Sequence, residues 1–176
     1  MMLETERLIL RPVQIEDAED MYAYASDPLV TEMVTFDTYT SMQDAYDSIN
    51  TFFLNRDPNT HFEALAIVDK ESLRMIGTVD AGKVVRGDMV ELGYILHRDF
   101  WNRGIMTEAA RRYIQYLFDD KGIRRIEVSH HPKNMASKRV IEKLGFVFEG
   151  VRRQYVKFGD SYADVPYYSL LKGELR

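Results

Sequence analysis

The 176-residue chain has no cysteine. That removes disulfides, zinc–thiolate sites and thiol nucleophiles, and leaves the redox compartment unwritten. Long apolar runs are missing as well. No stretch approaches the ~18 consecutive apolar residues of a membrane span. Residues 1–12 have no apolar run of signal-peptide length and carry Glu4, Glu6, Arg7 and Arg11. The expectation is a cytoplasmic protein with no membrane partner. A basic excess is also absent, since 28 Asp+Glu outnumber 23 Lys+Arg and the net charge is −5. Binding a nucleic-acid backbone needs a basic face, so no nucleic acid is expected as a partner. An acidic chain mildly favours a cationic acceptor such as an amine. Neither G-x-G-x-x-G nor G-x-x-x-x-G-K-[ST] occurs, which argues against the common nucleotide-binding loops.

What is present is an ordinary globular composition, 45% hydrophobic and 29% charged, without repeats or linkers. The length suits a single domain over residues 1–176 with a core of its own. Residues 8–12 read as a short strand ended by Pro12. Ala18, Met21, Tyr22 and Ala25 recur at helical spacing over 16–26, and Asp27-Pro28 stops that helix. Ser41 opens a second helix with Asp44 as its capping acid, and Ala45, Ile49, Phe52 and Phe53 form its apolar side. The period then changes. Residues 62–68, 76–85 and 90–96 read as strands joined by turns at Lys70-Glu71-Ser72 and Arg86-Gly87-Asp88, an antiparallel meander. Met106, Ala110, Tyr113 and Leu117 then mark an amphipathic helix over 102–121, ended by Gly122. A strand follows over 124–129. Strand, helix, strand is a parallel crossover, so the strands ending at Leu96 and near Ser129 should run parallel. A helix over 136–144, packing Ala136, Val140, Ile141 and Leu144, leads through Gly145 into a hairpin turning at Phe158-Gly159-Asp160-Ser161. The fold class is α/β: a mixed, mostly antiparallel sheet with a central parallel pair flanked by helices.

The carboxyl end of a parallel strand is where ligands of such sheets bind. Here that place lies between Glu91 and Glu108. A helix begins there, with free N–H groups and a positive dipole end suited to a phosphate or pyrophosphate. Gly104 permits close approach and Arg103 adds a permanent charge. The same features would also serve an ordinary crossover helix.

Trp101-Asn102-Arg103-Gly104-Ile105-Met106-Thr107-Glu108-Ala109 resembles the acyl-CoA loop of the GNAT N-acetyltransferases, above all the ribosomal-protein N-terminal acetyltransferase branch, where W-G-x-G-x-A-T-E-A is common. Three further segments resemble that branch in register. They are Thr5-Glu6-Arg7-Leu8-Ile9-Leu10-Arg11, then Asn134-Met135-Ala136-Ser137 with Glu142-Lys143-Leu144-Gly145-Phe146, then Gly159, Tyr162 and Asp164 in the final hairpin. The resemblance implies the GNAT fold and acetyl-CoA as cosubstrate. It implies that Tyr94, Ile95 and Leu96 offer backbone groups to the pantetheine arm. Asn102, Arg103, Gly104, Ile105, Met106 and Thr107 would then wrap the pyrophosphate, and Asn134 would bond the arm near the thiol. It also implies direct attack by an amine, with Ser137 protonating the departing thiolate. The acceptor would be a protein N-terminus, ribosomal or other, or a small amine; a homodimer is common in the family. Met106 and Asn102 depart from the family's small residues. Val156 stands where some members carry a glutamate base, so that base is not inherited.

An attacking amine must be neutral, which calls for a general base or a water leading to one. Glu91, on the strand that carries the cofactor, is the first candidate; a solvent-facing or salt-bridged strand residue is the plain alternative. A backbone N–H of the same strand, such as that of Ile95, would hold the oxyanion. Ser137 also has a plain alternative as a helix-start cap. His130 and His131 point opposite ways on a strand and make a poor chelate, so no metal site is expected. Tyr155, Tyr167 and Tyr168 read as strand packing, and Tyr39 as a candidate lining of the acceptor pocket. A non-catalytic acyl-CoA-binding or interaction domain on the same fold is the competing reading.

Overall fold

The computed structural model describes residues 1–57, 61–83 and 88–176. Leu8 and Leu10 are both fully buried on one face of β2 (Leu8–Pro12), while Ile9 between them packs on the other. A two-residue strand, β1 (Leu3–Glu4), pairs with it antiparallel; two residues are too few to show a period. The helix expected over 16–26 is a 3-10 turn at Ile15–Asp17 running into α1 (Ala18–Ala25). Asp27 ends α1 and caps the next turn, α2 (Pro28–Thr31), by accepting the Leu29 N–H at 3.0 Å. Pro28 at the first helical position needs no donor there.

The Ser41–Asp44 capping box opens α3 (Met42–Ser48) as expected. Beyond it the chain widens into a π-turn over Ile49–Leu54. The wider turn breaks the i, i+3, i+4 register. Phe52 is therefore 44% exposed, while Ala45 and Ile49 face inward and Met42 and Phe53 do so in part.

The sheet is completed by β3 (Leu65–Asp69), β4 (Met75–Lys83), β5 (Met89–Leu96), β6 (Arg125–Ser129), β7 (Val147–Phe158) and β8 (Ser161–Leu171). Its eight strands run in the order β1-β2-β3-β4-β5-β6-β8-β7. Every described pairing is antiparallel except β5 with β6, which is the predicted crossover pair. The expected strand end at 84–85 and the turn residues Arg86 and Gly87 lie outside the described residues.

Two cores cover the two faces. One gathers Leu8, Leu65, Ile67, Val79, Val90 and Ile126 beneath α4 (Ile105–Asp119) and α5 (Met135–Leu144). The other packs Met21, Tyr24, Ala45 and Ile49 onto Ala66, Val68 and Met75. Strand β3 feeds both, so all five of its residues are buried. Two helix expectations shift. α4 begins three residues later than its hydrophobic period suggested, because Asn102 and Gly104 hold positive φ (+58° and +74°) that no right-handed helix accepts. Ala136 does not pack with Val140, Ile141 and Leu144; it is exposed at the first turn of α5.

The parallel ladder is short. It pairs Met89, Val90 and Glu91 with Arg125, Ile126 and Glu127, and stops there. Beyond Glu91, β5 keeps its antiparallel partner β4 but has no described strand on its other edge. The sheet opens at that point, and the site lies in the opening.

Candidate active site

The loop between β5 and α4 is built for an anion. Left-handed φ at two of three positions turns the chain sharply, and glycine takes such φ freely while asparagine tolerates it best among the others. Asn102 therefore preserves the turn that a glycine makes elsewhere in the resembling loops. The first bond of the helix runs from the Glu108 N–H to the Gly104 carbonyl at 3.0 Å. The amides of Ile105, Met106 and Thr107 precede that bond and lie outside the ladder, at the positive end of a 15-residue helix. Met106 is only 6% exposed and packs its thioether in the core, leaving its amide in place. Arg103 is different. Its guanidinium lies over the Phe100 ring at 5.2 Å and it is not among the cavity-lining residues.

A clamp from the N-terminal segment holds this loop. Thr5 Oγ1 donates to Glu108 Oε1 at 2.5 Å, and Arg7 donates to Glu108 from its backbone N–H at 3.1 Å and its Nε at 2.7 Å. Arg7 Nη1 also donates to the Arg103 carbonyl at 3.0 Å. The two sequence segments that open the chain and the helix are thus one device. Burial alone would raise the Glu108 carboxyl, but the Thr5 and Arg7 donors outweigh it and hold the group below its ordinary 4.5. The carboxylate's contribution is therefore present at neutral pH and is lost as pH falls through the depressed value. Glu108→Gln is expected to cost about 1–2 kcal/mol of stability at pH 7, allowing for the partial exposure of Arg7. Urea unfolding should show that gap closing below about pH 4; an equal gap at both pH values would mean that the charge does not matter.

Strand β5 supplies the second wall. The His97 N–H bonds the Ile76 carbonyl on β4. Backbone groups of an antiparallel strand alternate between edges, so Ile95 faces Thr78 on β4 while Tyr94 and Leu96 face the open edge. The N–H of Ile95 is thus committed to the sheet, and an oxyanion donor on this strand falls to Tyr94 or Leu96 instead. The Leu96 carbonyl accepts from Trp101 Nε1 at 2.8 Å, which ties the loop to the strand. A cavity of about 630 Å³ fills the opening. Tyr94, Ile95, Leu96, Asn102, Gly104, Ile105, Met106, Thr107, Asn134 and Ser137 all line it. The opposite wall comes from Leu29, Val30, Glu32, Met33 and Val34 at and after α2, a contribution without a sequence motif.

At the start of α5, Asn134 caps the helix by accepting the Ser137 N–H on Oδ1 at 2.9 Å. Asn134 thus keeps only its NH2 end for a ligand. Ser137 is relieved of capping, which disposes of its plain reading. Its Oγ lies 2.8 Å from the Tyr94 hydroxyl.

Comparison with known proteins follows this geometry. The sequence profile of the acetyltransferase (GNAT) domain matches residues 7–147. The chain belongs to the GNAT acetyltransferase family. Among its relatives is the uncharacterized N-acetyltransferase p20 of Bacillus licheniformis, 35% identical over 176 residues that cover 98% of this chain and 97% of that one. The alanine N-acetyltransferase of ribosomal protein uS5 from Escherichia coli is 29% identical over 100 residues, 56% of this chain and 52% of that one. In three dimensions the chain resembles the ribosomal L7/L12 α-N-protein acetyltransferase RimL in complex with coenzyme A. The TM-score is 0.86 at 18% identity, over 97% of this chain and 98% of that chain, a likeness of fold. The GNAT assignment thus agrees with the sequence motifs.

Within this GNAT fold, Glu91 stands on the other face of β5 from Tyr94 and is not among the residues that line the cavity. Its Oε1 accepts from Ser129 Oγ at 3.1 Å. Burial pushes its carboxyl above the ordinary 4.5; Ser129 and Arg152 pull it down, while Glu127 and Asp80 add to the rise. His130 follows directly on the end of β6 and is buried, with Nδ1 2.8 Å from the His131 carbonyl and Nε2 3.3 Å from the Tyr168 hydroxyl. His131 packs edge-on against Phe158. No group of three or more His, Asp or Glu suited to a metal occurs among the described residues. Tyr167 donates to Glu127 at 3.0 Å and packs in the sheet as expected, whereas Tyr155 is 53% exposed. Tyr39 packs on the α1–α3 side and does not line the cavity. No helix among the described residues is long and apolar enough to cross a membrane.

Proposed function

We propose that this GNAT enzyme moves an acetyl group from acetyl-CoA to a primary amine by direct attack, the acceptor being a protein N-terminus, ribosomal or other, or a small amine. The observation that carries this reading is the convergence on one cavity of three free amides at the α4 start, the open edge of β5 and the Ser137 hydroxyl. The amides of Ile105, Met106 and Thr107 bind the pyrophosphate, assisted by the helix dipole. The open edge at Tyr94 and Leu96 receives the amides of the pantetheine arm as a strand would. That threads the thioester toward Asn134 and Ser137. Glu91, which lies outside the cavity lining, takes the proton from the acceptor ammonium through a water. The amine nitrogen then attacks the thioester carbon, and a strand amide holds the oxyanion. The nitrogen of the tetrahedral intermediate loses its second proton to solvent, the intermediate collapses with cleavage of the C–S bond, and Ser137 donates a proton to the CoA sulfur.

Calorimetry with acetyl-CoA, combined with thiol release across a panel of small amines and N-terminal peptides, tests the reading. No binding at millimolar acetyl-CoA sinks it. Binding with no release from any acceptor favours a non-catalytic acyl-CoA-binding domain. A pH profile tests the base. Glu91 acts only when ionised, and burial raises its pKa, so kcat/KM should fall as pH drops through a value above 4.5. Glu91→Gln should lower kcat/KM about 10²-fold or more and abolish that acidic limb, leaving only the limb of the amine itself. Retention of the acidic limb in Glu91→Gln would assign the base elsewhere.

A further inference from the structure

The pair formed by Tyr94 and Ser137 bridges the opening of the sheet. One hydroxyl comes from the last turn-free stretch of β5 and the other from the first turn of α5, 43 residues apart in the chain. Both residues line the cavity. Asn134 has taken over the capping of α5, so the Ser137 hydroxyl is not needed by the helix. The Tyr94 hydroxyl is close to nothing but Ser137 among its described hydrogen-bond partners: 2.8 Å to Oγ and 3.4 Å to the carbonyl.

The chemistry at Ser137 asks for such a partner. An aliphatic hydroxyl, like water, is a far weaker acid than a thiol, whose pKa is about 8.5. A serine that protonates a thiolate unaided would end as an alkoxide, strongly uphill. A phenol is a far better acid, and burial followed by the opposing Ser137 bond leaves the Tyr94 group pushed up to about 12.

We propose that Tyr94 is a positioning and proton-supplying residue: its hydroxyl donates to Ser137 Oγ, which directs the single Ser137 proton at the CoA sulfur and refills the serine as that proton leaves. The proposal rests on the acetyl-transfer reading above. In the collapsing intermediate the C–S electron pair goes to sulfur. Sulfur takes the Ser137 proton, Ser137 Oγ takes the Tyr94 proton, and the transient phenolate is reprotonated from solvent as CoA departs. Ser137 is neutral before and after, and no oxidant or further reactant is involved.

Tyr94→Phe removes only the oxygen and keeps the ring that packs beside the core. Single-turnover thiol release should slow about 10- to 100-fold, consistent with loss of part of a proton-transfer contribution, while CoA affinity stays within about twofold. Tyr94→Phe with Ser137→Ala together should be no slower than Ser137→Ala alone. Tyr94→3-fluorotyrosine keeps the hydrogen bond with a more acidic phenol and should hold or raise the rate. Ultraviolet difference titration of bound CoA reads the same chain without an acceptor. The CoA thiol should ionise at lower pH on the wild type than on Tyr94→Phe, because the hydroxyl chain stabilises the thiolate. A wild-type rate in Tyr94→Phe, or identical thiol titrations, overturns the proposal. Failure of the wild type to release thiol with any amine overturns the acetyl-transfer reading instead, and the bound-CoA titration still decides on Tyr94. No CoA binding at all would remove both.

Discussion

Ser137→Ala is expected to slow the chemical step about 10²-fold or more while leaving acetyl-CoA affinity within about twofold. The asymmetry follows from where the hydroxyl is used. The serine amide, not its Oγ, is what Asn134 binds, so alanine leaves the cap of α5 intact. Its Oγ contacts the Tyr94 hydroxyl and lines the cavity, so in the proposed mechanism its loss removes the proton for the departing sulfur while leaving the loop at the start of α4 untouched. The truncation also orphans the Tyr94 hydroxyl, which retains a 3.4 Å approach to the Ser137 carbonyl, so the stability cost should stay near 1 kcal/mol. Rapid-quench thiol release at saturating acetyl-CoA, beside calorimetry of the same variant, separates the two effects. A tenfold loss of affinity with an unchanged chemical step would make Ser137 a binding residue.

Gly77→Val is expected to cost about 3 kcal/mol or more, lowering the melting temperature by roughly 10 °C. Gly77 lies on β4 opposite Leu96. A Cβ added there would overlap the Ile95 carbonyl oxygen and sit 3.0 Å from Leu96 Cα. Both obstacles are backbone, so no side chain can yield, and β4 must part from β5. That separation would strike the stretch that presents Tyr94 and Leu96 to the cavity, so ligand binding should weaken with stability. Gly122→Ala is the control: its φ of +69° is strained for alanine, but nothing lies within 4 Å of the added atom. It should cost only about 1–2 kcal/mol. Comparable losses in the two variants, read by thermal unfolding, would show that crowding at Gly77 is relieved more easily than the backbone geometry allows.

Much of this arrangement is legible in the sequence because it is local. The spacing of Met106, Ala110, Tyr113 and Leu117 defines α4, and all four are buried. The Ser41–Asp44 cap, the Gly145 stop and the Gly159 hairpin occur where short-range chemistry requires them. A helix between two strands dictated the parallel pair of β5 and β6 through the crossover rule. Elements with no period of their own escaped: β1 has two residues, α2 has four, and the π-turn after α3 rotated Phe52 outward. The start of α4 moved because a positive φ is a property of the folded loop, and asparagine at 102 does not announce it as glycine does.

By itself, then, the sequence determined the order of the elements, the class of the sheet, the family and the loop that can hold a pyrophosphate. These depend on hydrophobic period, turn chemistry and short motifs, all of which act over a few residues. Only the tertiary structure decided which groups meet. It closed Thr5, Arg7 and Glu108 into one clamp across 101 to 103 residues, and it turned the Ile95 amide toward β4 rather than the cavity. It brought the Tyr94 hydroxyl to Ser137 across the opening in the sheet. Contacts over such separations are set by the register of strands and the packing of helices on both faces, and no local pattern of residues encodes where two distant hydroxyls will come within 2.8 Å.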